Sequence, residues 1–331
     1  MQNHNGKKRI GSFDAVKALA IYLVIWGHCI LHLAPWDSKG DWVFVFINSF
    51  HMSLFMIVAG YFSVSALSLD FKPLIAKKTI ELLLPSIIWG CVAAVVCITV
   101  LGQHLNVMGF VNHFLYGRLW FLKSLFLCYL FAFVLTRKGK HFLIIGIILL
   151  LVLTLYKVNR MFPAFMIGWA IRKYNLLDRM MKPLPVIMML LVFVIFTILY
   201  NPYFLNAPNH MLSIIQECSI ETWGLYFYKT LYMIMVGCSG ALLIILTFYK
   251  YGKNVKDLIC KVGQRTLGIY VIQSVLLEQI AKHYYTYNGG GILFDLIYAP
   301  LISVIITLLC YSITVLLERN RYTSILLLGK R

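Results

Sequence analysis

The sequence predicts an all-α, polytopic transmembrane helix bundle of about ten spans with both termini cytoplasmic, and three observations predict it. The chain of 331 residues is 61% hydrophobic and only 13% charged, which leaves more apolar surface than one soluble core can hide. Its apolar residues run in long blocks, each matched to about 30 Å of hydrocarbon crossed at about 1.5 Å per helical residue. Its basic residues, which set a formal net charge of +18, gather in short clusters between those blocks. That distribution writes membrane topology and excludes nucleic acid as a partner, which would need the charge on one soluble face.

The blocks lie near 13–34, 43–66, 81–101, 119–136, 142–156, 161–175, 184–200, 223–250, 264–281 and 292–317. The first follows Lys7-Lys8-Arg9, is longer than the core of a signal peptide and lacks a small-residue cleavage pattern, so it is expected to stay as an anchor. With the N-terminus cytoplasmic, the clusters at Lys7-Lys8-Arg9, Lys72/Lys77/Lys78, Arg137-Lys138/Lys140, Arg172-Lys173/Arg179/Lys182, Lys250 to Arg265 and Arg319 to Arg331 all fall inside. Lys330 reads there as a plain surface charge. The outer loops keep only Lys39, Arg118, Lys157, Arg160 and Lys282, a bias that supports an even number of spans. The fifth and sixth blocks are short, and Arg160 and Pro163 crowd their junction, so a re-entrant pair there gives eight spans instead.

No internal repeat or linker appears, and residues 1–331 read as one membrane domain in the inner (plasma) membrane, in contact with lipid throughout. The longer outer loops, 102–117 and 201–222, carry His104, Asn106, Asn112, His113, Asn201, Tyr203, Asn206, Asn209 and His210, suited to a vestibule or to interfacial anchoring. The eight cysteines show no CxxC spacing, and Cys29, Cys91, Cys97, Cys128, Cys238 and Cys310 fall inside apolar blocks. They read as small packing residues, and no metal site is expected.

The first block carries a polar stripe. At about 100° per residue, Asp14, Lys17 and His28 fall within about 60° of one another, and His32 continues the face four residues on. The rise from Lys17 to His28 is about 16 Å, so the lysine sits at the cytoplasmic edge and the imidazole lies past the bilayer middle. An ionisable group there costs on the order of 3 kcal/mol, which marks an inward-facing, functional placement. Lys17 is close enough to the interface to snorkel, with Asp14 paired to it at i,i+3, and His28 is also satisfied by one interhelical hydrogen bond; these structural readings stand beside the functional one. In the second block, His51 within Phe50-His51-Met52-Ser53-Leu54-Phe55 returns from the outer side and is able to approach His28 or His32.

These residues resemble the opening of the acyltransferase-3 family of integral membrane acyltransferases: Asp14-Ala15-Val16-Lys17, ten residues and His28, then Phe50-His51-Met52-Ser53-Leu54-Phe55 running into Ala59-Gly60-Tyr61-Phe62. Further matches follow in order, with Lys77-Lys78 before Leu82-Leu83-Leu84-Pro85, Leu119-Trp120-Phe121-Leu122, and Gly263-Gln264-Arg265-Thr266-Leu267-Gly268-Ile269-Tyr270. Two positions depart from the pattern. Lys17 stands where many members carry Arg, which keeps the charge and loses a planar bidentate donor. Gln273 stands where many members have His, so no acid–base role is expected at that position.

The resemblance implies transfer of an acyl group, usually acetyl, from cytoplasmic acyl-CoA to a hydroxyl of a carbohydrate such as a surface polysaccharide, O-antigen, capsule or lipid-linked glycan. No permanently bound cofactor is expected; acetyl-CoA is the donor substrate. Such transfer needs a base, an oxyanion stabiliser and a site that excludes water. His28 is the candidate base, with Asp14, Lys17 and His51 as its catalytic neighbours. Lys77, Lys78 and Arg265 are candidates for the donor's phosphates, although positive-inside topology also accounts for them. His32, Trp120, Lys123 and Tyr270 are candidates for substrate contact, and Lys123 is expected to face Glu81, Glu278 or the substrate path. Without a GxSxG elbow, direct transfer is preferred to an acyl-enzyme. A proton-coupled transporter or flippase relaying through His28, His32, His51, Lys229 and Glu278 is the alternative, against which the absence of paired halves counts.

Overall fold

The computed structural model describes residues 11–34, 41–102, 119–137, 155–199, 219–252, 255–284 and 291–330, with isolated positions 139, 142, 144 and 146. Among the described residues every regular element is a helix. They are α1 (Gly11–Leu33), α2 (Trp42–Leu67), α3 (Phe71–Thr99), α4 (Trp120–Arg137), α5 (Val158–Lys173), α6 (Pro183–Ile198), α7 (Ile220–Tyr251), α8 (Asp257–Gly263), α9 (Thr266–Val275, prolonged through Leu276–Ala281 and Lys282–Tyr284), α10 (Phe294–Glu318) and α11 (Arg321–Leu328).

Six of these, α1, α2, α3, α4, α7 and α10, are long and apolar enough to cross a membrane, and α6 is a shorter apolar helix. The exposed side chains of α6 and α10, such as Leu184, Ile187, Ile198, Leu301, Ile305 and Leu309, are large and apolar. An exposed apolar belt on helices of this length belongs in lipid, so the chain is a multi-pass membrane protein. Of the expected blocks, the third starts ten residues earlier, at Phe71, because the segment bearing Lys72, Lys77 and Lys78 is helical and continuous with it. The ninth starts at Thr266, after a break at Gln264 and Arg265 that separates it from α8. Two thirds of block 142–156, and all of residues 103–118 and 200–218, lie outside the described residues.

α1 is the central helix. Fifteen of its 23 residues are buried, and it packs against α2, α7, α8, α9 and α10. α6, by contrast, buries none of its residues and rests on α7. α2 is clasped by α5, and the crossing depends on two glycines: a Cβ at Gly60 would overlap the Phe165 carbonyl, and one at Gly168 the Ile57 carbonyl. Backbone contact of this closeness is how membrane helices gain dispersion energy where no hydrophobic drive separates lipid from protein.

Side-chain to backbone hydrogen bonds fix the remaining helices. Trp26 Nε1 on α1 donates to the Asp295 carbonyl on α10 at 2.8 Å, and Trp89 Nε1 on α3 donates to Leu327 O on α11 at 2.9 Å. Asp41 caps α2 by accepting from Phe44 N at 2.8 Å, and Asn320 caps α11 by accepting from Tyr322 N at 2.8 Å. All described cysteines are free; Cys29, Cys97, Cys128, Cys238 and Cys310 are buried as packing residues, whereas Cys91 is exposed.

Three helices contain a π turn: Thr79–Leu83 in α3, Leu276–Ala281 in α9 and Phe294–Tyr298 in α10. Each holds one carboxylate, Glu81, Glu278 or Asp295. A π turn admits an extra residue and rotates everything beyond it, so it changes which side chains share a face.

Candidate active site

Three neighbouring cavities share wall residues in turn, and α1 lines the second and third. The first, the mouth, has a volume of about 920 Å³ and is lined by Lys77, Glu81, Gln264, Arg265 and Lys330. It shares Leu82 and Leu267 with the second, a passage of about 220 Å³ walled by Phe55, Phe62, Phe121 and Leu122, into which Lys17 projects. The passage in turn shares Val24, Met52 and Tyr270 with the third, a chamber of about 410 Å³. His28, His32, His51, Trp120, Lys157, Arg160 and Glu278 line that chamber. The stripe on α1 therefore runs from the passage to the chamber.

The imidazole of His28 is held from α9. Its Nδ1 lies 3.0 Å from Gln273 Oε1 and 3.3 Å from Glu278 Oε1. Both partners accept at these atoms, so Nδ1 is the nitrogen that donates to them. Gln273 and Glu278 are five residues apart, about 140° around a regular α-helix. The π turn spanning Leu276–Ala281, with Lys282 N donating to Leu277 O, changes that phase, and both side chains reach one nitrogen. His51 uses the same nitrogen by another route, since its Nδ1 lies 2.7 Å from the Ile47 carbonyl. The rings of His28 and His32 meet edge to face at 5.6 Å between centroids.

At the near end of the stripe, Lys17 Nζ is 2.6 Å from Asp14 Oδ1, and Gln264 Nε2 donates to Asp14 Oδ2 at 3.2 Å. Asp14 is buried behind Lys17 and lines none of the three cavities. Its carboxylate fixes the lysine against α8, where Gly263 comes into contact with the Asp14 backbone.

The mouth carries a cation network closed by carboxylates. Arg265 Nε donates to Glu318 Oε2 at 2.8 Å, and Lys330 pairs with the other oxygen of Glu318. Lys330 thus belongs to the mouth and is no plain surface charge. Lys77 Nζ is 3.9 Å from Glu81. Lys78, expected beside Lys77 as a donor contact, is instead buried away from the mouth, 2.6 Å from Glu81 Oε2 and 4.1 Å above the Tyr129 ring.

Of the expected substrate contacts, Trp120 and His32 line the chamber, and Tyr270 stands at the junction of passage and chamber with its ring 5.9 Å from Phe121. Lys123 lines a separate cavity with Ser86 and Tyr156 and lies 5.4 Å from the Tyr156 ring. The carboxylates expected to face it are committed elsewhere, Glu81 to Lys78 and Glu278 to His28. Gln273, Lys157 and Arg160, which sequence reasoning left out of the site, are part of its walls or its hydrogen bonds. Gln273 had a signal, because it fills a position where a His is common in the family it resembles.

The segments that bring Trp120 and Lys157 to the chamber are strained. Leu119, Tyr156 and Lys157 have φ of 53°, 49° and 60°. A side chain in this left-handed region costs of order 1–2 kcal/mol, and such residues cluster at functional sites. Lys157 Nζ comes to 4.2 Å from the Trp120 ring centre, a cation–π contact.

Comparison with known proteins shows which family the chain belongs to. A family model described as an acyltransferase domain matches residues 10–315. Over 82 residues the chain is 37% identical to Nodulation protein NolL of Mesorhizobium japonicum and 33% identical to Nodulation protein NolL of Sinorhizobium fredii. Each match covers 24% of this chain and 22% of the relative, so it spans about a fifth of the curated relatives. No solved structure matches the chain. The family model runs from before α1 into the last turn of α10 and takes in the described walls of the passage and the chamber, and the chain belongs to the acyltransferase-3 family.

Proposed function

We propose that the protein is a membrane O-acyltransferase that moves an acyl group, acetyl by family habit, from cytoplasmic acyl-CoA to a hydroxyl of a cell-surface or lipid-linked carbohydrate. The observation that carries this reading is the series of cavities that ends on the His28 imidazole. A donor with a charged nucleotide and a long neutral arm fits a wide basic mouth followed by a narrow apolar passage. Lys77, Arg265 and Lys330 face the phosphates at the mouth, and Lys17 meets the arm in the passage. The thioester then arrives beside His28, about 16 Å further along α1.

In the transfer step, His28 Nε2 accepts the proton of the acceptor hydroxyl as its oxygen attacks the thioester carbon. The C–S bond breaks, the sulfur leaves as the thiol of CoA by taking that proton from the imidazolium, and the products are the ester and free CoA. Glu278, 3.3 Å from Nδ1, stabilises the transient positive charge, and Gln273 holds the tautomer. The apolar passage keeps water from competing as acceptor. Trp120, His32 and His51 surround the acceptor. The proposed orientation puts both termini in the cytoplasm and the chamber at the outer side of the inner membrane.

Purified protein in liposomes, given labelled acetyl-CoA and extracted glycans, tests the reading. Label passes to glycan with the native chain and with Lys250→Ala, an exposed residue outside the three cavities, and is lost with His28→Ala. Full activity in a well-folded His28→Ala protein overturns the assignment of the base. Absence of label from every glycan with the native chain, while the same vesicles take up a polar solute, favours the transporter instead.

A further inference from the structure

The chamber holds a charge that acyl transfer to a neutral sugar does not use. Among the described residues its only carboxylate is Glu278, already held against His28, whereas Lys157 and Arg160 both line it as cations. Neither forms an ion pair with a described carboxylate. Asp41 and Asp295 lie at the same end of the bundle, but Asp41 caps α2 and neither lines the chamber.

Apart from the contact of Lys157 with the Trp120 ring, the backbone around these cations disfavours them. Lys157 is the N-cap of α5 and makes no side-chain cap hydrogen bond, and Arg160 sits in the first turn. The N-terminus of a helix carries the positive end of its dipole and exposes backbone N–H groups, so it favours anions and repels cations. Lys157 also holds a left-handed backbone, as does Tyr156 before it. Like charges, an opposed dipole and strained backbone are thus gathered at one wall of a cavity. An anion bound there relieves the electrostatic part at once.

We infer that the acceptor is acidic, and that Lys157, Arg160 and the N-terminal end of α5 bind its anionic oxygens while Trp120 and the histidines contact the sugar. This rests on the acyl-transfer reading and names the class of acceptor for it. Carboxylate of a uronic-type sugar and phosphate of a lipid carrier share this chemistry. Arg160 offers planar paired donors to either, and Lys157 offers a point charge above the Trp120 ring.

The test is equilibrium binding to the full-length protein in detergent, with three probes: a galacturonate trisaccharide, the same trisaccharide reduced to its neutral form, and a polyprenyl monophosphate. At least one anionic probe binds about tenfold more tightly than the neutral trisaccharide, the effect of one charge-assisted contact, and the preferred probe identifies the source of the anion. Arg160→Gln and Lys157→Gln each reduce the preference to about twofold or less, and Arg160→Lys retains part of it. Lys157 is exposed, so Lys157→Gln keeps the test sound if an Arg160 variant folds poorly. Equal binding of all three probes, or a preference that survives Lys157→Gln, overturns the inference. Acetyl-CoA binding to the same samples is unchanged in these variants. Its absence in the native protein counts against acyl transfer and leaves the anion preference to be judged on the three probes.

Discussion

The two ends of the tunnel handle positive charge in opposite ways. At the mouth each cation that faces the cavity has a carboxylate: Lys77 has Glu81, and Arg265 and Lys330 share Glu318. Lys17, inside the passage, has Asp14. Among the described residues, the chamber's one carboxylate serves an imidazole, and Lys157 and Arg160 have none. A paired cation keeps its place in the absence of ligand and exchanges one anion for another at little net cost. An unpaired pair of cations at a helix N-terminus is poised for a ligand that supplies the missing charge. The mouth is thus suited to a mobile, soluble donor that docks and leaves, and the chamber to an acceptor that stays until the ester forms.

Breaking the chamber gives the largest effect. His28→Ala lowers kcat by about 100-fold or more, the usual worth of a positioned general base, while the donor KM moves little, as separate titration of acetyl-CoA checks. Next comes the pair that holds the ring. Glu278→Gln and Gln273→Leu each reduce kcat by roughly 10- to 100-fold, the loss of one hydrogen bond to a charged group. KM for both substrates stays near the native value, and Glu278→Asp recovers part of kcat, which a mere loss of folding would not allow.

Changes at the mouth reverse that signature. Arg265→Gln and Lys77→Gln raise the donor KM by roughly three- to tenfold with kcat kept, and the increase shrinks at high salt because the contacts are solvent-screened. The smallest effect is expected from Glu318→Gln. Arg265 and Lys330 then lose their internal competitor, and the donor KM falls by about two- to threefold at low ionic strength, within the modest energy of a half-exposed ion pair. A rise in donor KM with Glu318→Gln would show that the carboxylate orients Arg265 more than it competes for it.

Much of the fold was legible in one dimension. The apolar blocks match α1, α2, α4, α7 and α10 within a few residues, because hydropathy and span length act on each segment independently of the others. The stripe of Lys17 and His28 was legible for the same reason, since both lie on one helix of regular phase. Lys78 was misassigned because a helical segment extends back to Phe71 and turns that side chain onto Tyr129 while its neighbour Lys77 faces the cavity. Glu278 was one of several groups expected opposite Lys123, and it was grouped with His28 only in the transporter alternative, because its own span does not show which helix it meets.

The sequence by itself determined that the chain lives in lipid, which residues are too polar to be there without purpose, and which family its motifs resemble. Those conclusions depend on transfer energies and on periodicity within one helix. Tertiary structure decided which polar groups meet. His28 and Gln273 are 245 residues apart in the chain, and Gln273 and Glu278 share one imidazole nitrogen across a π turn that shifts the phase a regular helix would give them. The two cations of the chamber likewise acquire meaning only when the start of α5 sets them in a histidine-lined cavity whose one described carboxylate is held by His28, since a charge in a sequence has a sign but no partner until the helices have packed.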